Sequence, residues 1–421
     1  MAQRSLEEWL RWQESLYPRW IELGLDRVRE VFGRQQLARP AGPVFTVAGT
    51  NGKGSTVALL EALLLEAGHR PGVYTSPHLV SYNERIRVAG VPATDAMLLA
   101  AFERVETARA GVPLTFFEFG TLAALQVFAT AGCDCWILEV GMGGRLDAVN
   151  IIDADYALIT TVALDHQEFL GNTVEQIAAE KAGILRPERP GFFGDQPLPA
   201  AVRDAAARLG TPMHCAGRDF GHVASRPRWS WRGRQAALEG LEYPPGGTPA
   251  QLRNISLVLA AIEQYRPQLL ADTGMLNRLI GRARPPGRFQ VVEGRHQWVL
   301  DVAHNPQAVA TLRAQLDTLP AAPHVTAVIG LLGDKSLDAF MSSLGDVVDR
   351  WICCTVEDGR ARAGASIAGR LRELGAAEVL VAAAPAAALD LAGQLAPLQG
   401  RIIVCGSFRM VGPALRWLDL Y

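Results

Sequence analysis

The sequence predicts an α/β protein with two domains, in which a mostly parallel sheet is followed by a smaller doubly wound domain. Its 421 residues suffice for two or three domains at roughly 150 residues each. Short apolar strands alternate with helical segments, a pattern typical of βαβ units. The stretch 281–290 is rich in Pro, Gly and Arg and interrupts this alternation. We therefore predict domains at 1–284 and 297–421, joined by a linker at 285–296.

The first domain alternates strand-like and helical segments from residue 43 onward. Its predicted strands or strand-like segments are 43–49, 71–76, 135–140 and 156–164, and its predicted helices are 55–69, 95–110, 118–131 and 173–185. The last helix opens with Thr173, and Gln176 follows at the spacing of a capping box. These elements favour a mostly parallel sheet covered by helices.

The second domain repeats the alternation in a more compact form. Its predicted strands are 298–304, 324–332, 350–356, 378–384 and 401–407. Five strands separated by helical segments favour a Rossmann-like sheet, whose ligand sites form at the carboxyl ends of the strands.

Composition and charge argue against several classes of partner. A net charge of −2 gives no electrostatic reason to expect nucleic acid or a membrane surface. The charged N-terminus lacks the apolar core of a signal peptide, and no apolar run reaches the length of about 18 residues that a membrane span needs. Six cysteines are too sparse for a disulfide scaffold and are expected to be buried thiols. We expect a cytoplasmic protein.

Lysine is rare in this chain. Only three of the 41 basic residues are lysines, namely Lys53, Lys181 and Lys335. Arginine cannot act as a compact point charge on a phosphate and does not readily lose its proton, so these positions are candidates for chemistry that needs an amine. A bias in nucleotide composition would also leave a few lysines by chance. Lys181, within a predicted helix, is either a solvated lysine or a desolvated one whose neutral amine can be modified.

The string GTNGKGST at 49–56 lies between a predicted strand and a predicted helix. Its glycines allow backbone N–H groups to close on phosphate oxygens, Lys53 supplies a point charge, and the helix N-terminus favours negative charge. The string differs from the usual phosphate-loop pattern. Val47 stands where the first glycine is expected, and Gly54 separates Lys53 from the hydroxyl of Ser55. A glycine-rich turn with a chance lysine is the alternative interpretation.

Polar side chains also follow other predicted strands of the first domain, where ligand sites of α/β proteins form. Glu139 lies at the end of one strand, Asp165 and His166 at the end of another, and Ser76 after a third. A carboxylate, a hydroxyl and an imidazole beside a phosphate loop predict a magnesium site, although imidazole is an unusual ligand for so hard a cation. Taken alone, Ser76 also fits a turn and His166 a packed histidine.

Several motifs occur together in an order that resembles a known family. They are GTNGKGST, YTSPHL, LTFFEFGT, LEVGMGGRLDAVN, ALDH, EKAGI, PGRFQ, DVAHNP and GSF. Together they resemble the bifunctional bacterial dihydrofolate synthase/folylpolyglutamate synthases of the Mur ligase superfamily, over essentially the whole chain. The resemblance implies a P-loop ATPase domain like the central domain of Mur ligases, a smaller C-terminal Rossmann-like glutamate-ligase domain, and an active site in the cleft between them.

The resemblance also implies roles for individual residues. The implied ATP contacts are Thr50, Asn51, Gly52, Lys53, Gly54, Ser55, Asn254, Arg288 and Asp301. The implied ligands of two Mg²⁺ ions are Ser76, Glu139, His166, Ser55 and, if it is carbamylated, Lys181. The implied catalytic residues are Lys53, Lys181 and His166.

The pterin-side substrate site implied by the resemblance draws on three segments. Its residues are Ile21, Glu22, Leu23, Gly24, Asp26, Arg27, Thr115, Phe116, Phe117, Glu118, Leu146, Asp147 and Ala148. Aromatic rings such as those of Phe116 and Phe117 can stack on a flat pterin, although both residues also fit a packed core. His304 and Lys335 are implied in the cleft.

The implied reaction is ATP-dependent amide formation. A substrate carboxylate becomes an acyl phosphate, which the amine of L-glutamate then attacks. Dihydropteroate would give dihydrofolate, and reduced folates would be extended by further glutamates. The implied partners are these small molecules and ATP, and we expect a monomer. Two alternatives stay open: a folylpolyglutamate synthase without dihydropteroate activity, and a nucleotide-binding switch without ligase activity.

Overall fold

Helices and parallel strands alternate along the chain, as the hydrophobic pattern predicts. The computed structural model describes residues 4–17, 21–244, 246–333 and 335–421. Its internal contacts divide the chain into two units. The first unit comprises 1–77, 82–244 and 249–284, and the second comprises 78–81, 245–248 and 285–421.

The first unit contains ten α-helices among its described residues. They are α1 Leu6–Ser15, α2 Asp26–Gln35, α3 Lys53–Glu66, α4 Asp95–Arg109, α5 Phe116–Thr130, α6 Gln167–Leu170, α7 Val174–Ala182, α8 Ala200–Leu209, α9 Pro249–Tyr265 and α10 Thr273–Arg282. Short 3₁₀ turns lie at Tyr82–Arg85, Ala148–Ile151 and Pro267–Ala271.

The strands of the first unit form a large sheet and a small one. They are β1 Val44–Ala48, β2 Pro71–Tyr74, β3 Ile86–Val88, β4 Val91–Pro92, β5 Cys135–Glu139, β6 Tyr156–Ile159, β7 Gly191–Phe193, β8 Met213–Cys215, β9 Gly221–Ser225, β10 Arg228–Arg232 and β11 Ala237–Glu242. The large sheet has the order β4-β3-β2-β5-β1-β6-β7-β8. Strands β2, β5, β1, β6, β7 and β8 are parallel, and β3 and β4 extend one edge in antiparallel fashion.

The parallel pairing brings the carboxyl ends of the central strands to one edge of the large sheet. Val47 of β1 pairs with Glu139 of β5 on one side and with Leu158 of β6 on the other. Every residue of β1 is buried, because helices cover both faces. The phosphate loop after β1, Glu139 at the end of β5 and the segment after β6 therefore lie close together.

Two predicted boundaries differ from the structure. The strand predicted at 156–164 ends at Ile159. The backbone of Thr160 and Thr161 still bonds to Ala48 and Thr50, but their hydroxyls bond to Asn51 of the phosphate loop. The helix predicted at 55–69 begins at Lys53, because Gly52 takes the N-cap position with a φ of 87°. The capping box of Thr173 and Gln176 is confirmed at the start of α7.

The small sheet, of order β11-β10-β9, was not predicted from the sequence. Trp229 and Trp231 alternate along β10 and are both buried, so this strand turns one apolar face toward α9. Trp231 Nε1 donates to the carbonyl oxygen of Ser256 in α9 at 3.2 Å. Glu263, buried in α9, accepts the backbone N–H groups of three consecutive residues of the β10–β11 turn, Arg234, Gln235 and Ala236. The small sheet thus holds α9 in place.

The second unit is a six-stranded sheet flanked by helices. Its elements are β12 Gln290–Val292, β13 Gln297–Leu300, α11 Pro306–Leu316, β14 Val325–Ile329, α12 Asp338–Leu344, β15 Arg350–Cys354, α13 Gly364–Glu373, β16 Glu378–Ala382, α14 Pro385–Leu395, β17 Arg401–Cys405 and α15 Phe408–Trp417. The order is β12-β13-β17-β14-β15-β16, with β12 antiparallel and the others parallel. The five predicted strands are all present, which confirms the Rossmann-like class. The segment 285–296, expected as a linker, lies in this unit and contains β12.

Among the described residues, no helix combines the length and the apolar character that crossing a membrane would require.

We predict that Glu263→Ala lowers the free energy of unfolding of the first unit by about 2 to 4 kcal/mol, because three backbone donors lose a buried acceptor. Glu263→Gln should cost less, since its amide oxygen can still accept. Urea unfolding followed by tryptophan fluorescence would measure the change, as Trp229 and Trp231 lie in the same sheet. The control is Glu239→Ala, an exposed position on β11. Equal urea midpoints for the two alanine variants would contradict the prediction.

Candidate active site

The phosphate loop joins β1 to α3 and is closed by its own lysine. Lys53 Nζ donates to the carbonyl oxygens of Gly49 at 2.9 Å and Thr50 at 3.3 Å. Gly52 has a φ of 87°, and a Cβ at this position would lie 2.6 Å from both Nδ2 and Oδ1 of Asn254. Only glycine combines this backbone conformation with that close approach. Asn254, at the N-terminal part of α9, therefore lies directly against the loop.

Two threonines that were not predicted as site residues hold this loop from the β6 side. Thr160 Oγ1 donates to the carbonyl oxygen of Asn51 at 2.6 Å, and Thr161 Oγ1 accepts the N–H of Asn51 at 3.1 Å. A Cβ on Gly49 would lie 1.8 Å from Thr160 Oγ1, which explains the glycine there. The sequence feature that could have identified them is the presence of two hydroxyl residues directly after a buried strand, at the sheet edge where ligands of α/β proteins bind.

The predicted metal residues lie at the ends of β2, β5 and the segment after β6. Glu139 is buried, with 4% of its surface exposed, and its Oε2 accepts the backbone N–H of Ser76 at 3.2 Å. His166 caps α6 and has a φ of 50°, a conformation that costs free energy for a side chain of this kind and is found at functional sites. Its Nε2 lies 3.9 Å from Asp165 Oδ2. A carboxylate and a hydroxyl carry oxygen atoms of the kind that Mg²⁺ prefers as ligands.

Two buried groups of opposite sign lie within the electrostatic influence of Lys53. Lys181 in α7 is 3% exposed, and burial, reinforced by the charge of Lys53, lowers the pKa of its amine to about 7, against the opposing effect of Asp165. Burial also raises the pKa of Asp147 to about 7, although the N–H groups of Met142 and Val149 donate to its carboxylate at 2.8 and 3.1 Å. Lys181 is therefore a desolvated lysine and not a solvated one. The lowered pKa raises the neutral fraction of its amine above that of an exposed lysine.

The structure brings the three predicted substrate segments together. Arg27 forms a 3.0 Å ion pair with the buried Glu118, which itself closes a capping box with Thr115 at the start of α5. The N–H of Gly24 donates to the carbonyl oxygen of Leu146 at 3.3 Å. Ile21, Glu22 and Leu23 are half-buried just before α2, Asp26 is exposed at its first position, and Ala148 is buried in the turn after Asp147.

The two predicted aromatic residues are half-buried and face different neighbours. The ring centroid of Phe117 lies 5.7 Å from that of Tyr74. A Cβ on Gly141 would lie 2.6 Å from the Phe117 ring and 3.2 Å from Asp147 Oδ2, so Phe117 and Asp147 border the same glycine. Phe116 packs edge-on against the Tyr82 ring at 5.8 Å. A half-exposed ring beside a buried carboxylate suits a flat, polar heterocycle.

The predicted residues of the second unit surround the end of β13. Asp301 Oδ2 accepts the N–H of Phe289 at 2.7 Å, and its Oδ1 accepts that of Ala303 at 2.8 Å. Burial raises the pKa of Asp301, while the charge of the exposed Arg288 opposes that shift. A ring N–H of His304 is placed to donate to the carbonyl oxygen of Val302 at 2.9 Å. Lys335 is 7% exposed elsewhere in this unit.

Two family models match the chain in the regions of these sites. The Mur ligase middle domain matches residues 47–194, and the Mur ligase glutamate ligase domain matches residues 287–408. The middle-domain match covers Gly49, Lys53 and Glu139, and the glutamate-ligase match covers most of the second unit. The protein is thus a carbon–nitrogen ligase of the Mur type.

Curated relatives narrow this class. The chain is 40% identical over 418 residues to the dihydrofolate synthase/folylpolyglutamate synthase of Escherichia coli strain K12, covering 99% of this chain and 96% of the relative. It is 36% identical over 389 residues to the protein of that description from Haemophilus influenzae, covering 88% and 87%. The chain belongs to the dihydrofolate synthase/folylpolyglutamate synthase family.

Solved structures agree over the full length. The E. coli FolC complex with DHPP and ADP has a TM-score of 0.91 at 38% identity, covering 100% of this chain and 99% of that one. The bifunctional enzyme from Yersinia pestis, complexed with AMPPNP and Mn, has a TM-score of 0.90 at 40% identity with the same coverage. A further bifunctional enzyme structure, with a TM-score of 0.90 at 40% identity, holds Mn, AMPPNP and L-glutamate and has the same coverage.

We predict that Gly52→Ala lowers kcat/KM for ATP at least about a hundredfold, because the new Cβ would strain the backbone and displace Asn254 from the loop. Steady-state kinetics at varied MgATP would measure the loss. The control is Gly33→Ala, the same chemical change in α2 where a Cβ has open space and where alanine favours the helix. Near-normal kinetics in Gly52→Ala would show that neither the conformation nor the contact matters.

Proposed function

We propose that this chain joins L-glutamate to 7,8-dihydropteroate, forming dihydrofolate, and also extends reduced folates by further glutamates. The observation that carries the proposal lies within the first unit. The phosphate loop with Lys53, the buried Glu139 and the Phe117–Asp147 pair all lie near the carboxyl edge of one parallel sheet. The relatives whose structures hold ADP with DHPP, or AMPPNP with Mn and L-glutamate, support the same ligand set.

The first step is transfer of the γ-phosphoryl group of ATP to the substrate carboxylate. A carboxylate oxygen attacks the γ-phosphorus, the bond to the β-phosphate oxygen breaks, and ADP and an acyl phosphate result. The residues assigned to the phosphates are Thr50, Asn51, Gly52, Lys53, Gly54 and Ser55, at the N-terminus of α3. The N–H groups of Thr50 and Asn51 are bonded to Thr161, so the N–H groups at the start of α3, the helix dipole and the Lys53 ammonium are assigned to stabilise charge that develops on the transferring group.

The second step forms the amide. The neutral amine of L-glutamate attacks the carbonyl carbon of the acyl phosphate, phosphate leaves, and the amine loses a proton. In the second unit, Arg288 and Asp301 are assigned to ATP, as is Asn254 in the first unit, and His304 and Lys335 are assigned to the active-site region without a specific step. Asp301 is held rigidly by two backbone N–H groups, which suits a group that must keep a fixed position.

The metal residues fit magnesium in their chemistry. Glu139 and Ser76, joined by the 3.2 Å bond from the Ser76 N–H, would hold Mg²⁺ together with His166, and Ser55 would complete the set. Bound Mg²⁺ supplies charge neutralisation on the phosphates. We assign two Mg²⁺ ions, because the proposed ligands Ser55 and Lys181 come from different helices, α3 and α7.

The pterin site is assigned to the region where Phe117 and Asp147 border Gly141. Stacking on the half-exposed Phe117 ring would hold the flat heterocycle, while the carboxylate of Asp147 would accept its N–H groups. Arg27, fixed by Glu118 at 3.0 Å, contributes a positive charge on the same side. We also propose a cytoplasmic location, which the six free, buried thiols support, and a monomeric state, which light scattering would check.

Turnover of MgATP to ADP tests the proposed function. We expect turnover that requires L-glutamate with dihydropteroate and, in a separate reaction, with tetrahydrofolate. Turnover with tetrahydrofolate alone would reduce the activity to that of a folylpolyglutamate synthase. ATP binding without glutamate-dependent turnover in either reaction would overturn the proposal and favour a nucleotide-binding switch.

We further propose that CO₂ carbamylates Lys181, converting a buried amine into an anion that can serve as a metal ligand. The amine nitrogen bonds to the carbon of CO₂ and releases one proton. The reaction needs a neutral amine, and the desolvated position of Lys181 in α7 supplies one. Nearby positive charge on Lys53 would stabilise the product.

The carbamate should appear as one ¹³C signal in protein equilibrated with ¹³C-bicarbonate. Because the pKa of Lys181 is lowered to about 7, the neutral fraction grows and the signal should rise as pH increases through 7. Lys181→Arg should abolish it, while Lys335→Arg, the matched change at another buried lysine, should leave it in place. A signal that survives in Lys181→Arg would assign the adduct elsewhere. Unchanged activity in that variant would remove Lys181 from the reaction.

A further inference from the structure

Thr160 and Thr161 directly follow β6, and the proposed chemistry gives them no role. Their side chains are 1% and 6% exposed. The hydroxyl of Thr160 donates to the carbonyl oxygen of Asn51 at 2.6 Å. The hydroxyl of Thr161 donates to the same oxygen at 3.3 Å and accepts the N–H of Asn51 at 3.1 Å. Both backbone polar groups of one loop residue are therefore held by two neighbouring hydroxyls.

The two hydrogen bonds to the carbonyl oxygen of Asn51 set the orientation of the peptide group that follows Asn51. In a trans peptide the C=O of one residue and the N–H of the next point in opposite directions. Because Thr160 holds the carbonyl oxygen of Asn51 toward β6, the N–H of Gly52 points away from β6. Gly52 is the N-cap of α3, where backbone N–H groups are available to an anion.

Because residue 52 is a glycine, the 51–52 peptide group can change its orientation easily. Gly52 can adopt backbone conformations on both sides of the φ map, so the 51–52 peptide can rotate at low cost once its carbonyl is released. A rotated peptide would present the carbonyl oxygen of Asn51, and not the N–H of Gly52, to a bound phosphate. Two negatively polarised oxygens would then repel each other.

We infer that Thr160 and Thr161 are positioning residues that lock the 51–52 peptide with the Gly52 N–H turned toward the phosphates of ATP. The further bonds between these segments agree with this role. The N–H of Thr50 donates to the carbonyl oxygen of Thr161 at 2.9 Å, and Thr50 Oγ1 accepts the N–H of Ala163 at 3.0 Å. The inference rests on the proposed function in one respect, the binding of ATP phosphates by this loop.

Valine substitutions test the role, because valine keeps the branched shape of threonine and lacks the hydroxyl. We expect Thr160→Val to weaken MgAMPPNP binding at least about tenfold and to lower kcat/KM for MgATP by about 10- to 100-fold, as for the loss of one oriented donor. Binding of adenosine, which has no phosphate, should change less than about twofold. Thr161→Val should show the same pattern, and Thr160→Ser and Thr161→Ser should restore most of the loss.

The matched control is Thr46→Val in the neighbouring strand β1. Thr46 is fully buried, and its hydroxyl has no hydrogen-bond partner in the described part of the chain, so its loss should leave both nucleotide affinities and the activity unchanged. Calorimetric titration with MgAMPPNP and with adenosine gives the two affinities, and thermal unfolding checks that each variant is folded.

Each outcome separates the inference from the proposed function. Normal MgAMPPNP affinity in folded Thr160→Val would overturn the inference, and so would equal losses for MgAMPPNP and adenosine, which indicate general distortion. If wild-type protein lacks glutamate-dependent turnover while Thr160→Val still loses affinity for MgAMPPNP selectively, the proposed ligase activity fails and the positioning role stands.

Discussion

The hydrogen bonding between β1 and β6 continues beyond the end of the sheet, and the candidate active site depends on that continuation. A loop that binds phosphate must present N–H groups and keep its carbonyl oxygens occupied elsewhere. Here the carbonyl oxygen of Asn51 is held by Thr160, and that of Gly49 by the loop's own Lys53. This packing explains why residue 49 is a glycine, because a Cβ on Gly49 would clash with the Thr160 hydroxyl.

Burial of charge at the same edge of the sheet gives the site its chemical character. Lys181 and Asp147 both have pKa values near 7, shifted in opposite directions by desolvation. A side chain whose pKa lies near 7 can gain or lose its proton at a small cost in free energy when charged ligands bind nearby. A polyphosphate brings negative charge and its metal ions bring positive charge, so the protein need not bury a fixed excess of either sign. Carbamylation of Lys181 would fit this arrangement, since it exchanges a cation for an anion beside the remaining cation, Lys53.

Much of the fold could be predicted from periodicity and glycine placement, but strand ends could not. Hydrophobic alternation located the central strands and the second-unit sheet, and the glycine-rich string located the loop. The segment 160–164 has the composition of a strand, because Thr and Val favour β structure whether or not they pair. The sequence therefore did not reveal that Thr160 bonds to the phosphate loop. The β10 strand did carry a signal, since Trp229 and Trp231 alternate with polar residues, and a period of two could have identified it.

The three lysines all lie at enclosed positions in the structure. Lys53 is half-buried with its ammonium on two carbonyl oxygens, while Lys181 and Lys335 are 3% and 7% exposed. Surface positive charge in this chain is carried by arginine, which serves solvated ion pairs equally well. A planar guanidinium is too wide for the interior of a phosphate loop and keeps its proton even when desolvated. Chance retention would have scattered lysines over the exposed surface, where most basic residues lie. Their restriction to enclosed positions fits the proposed sites, which need a slender amine, and the lowered pKa of Lys181 fits the proposed carbamylation.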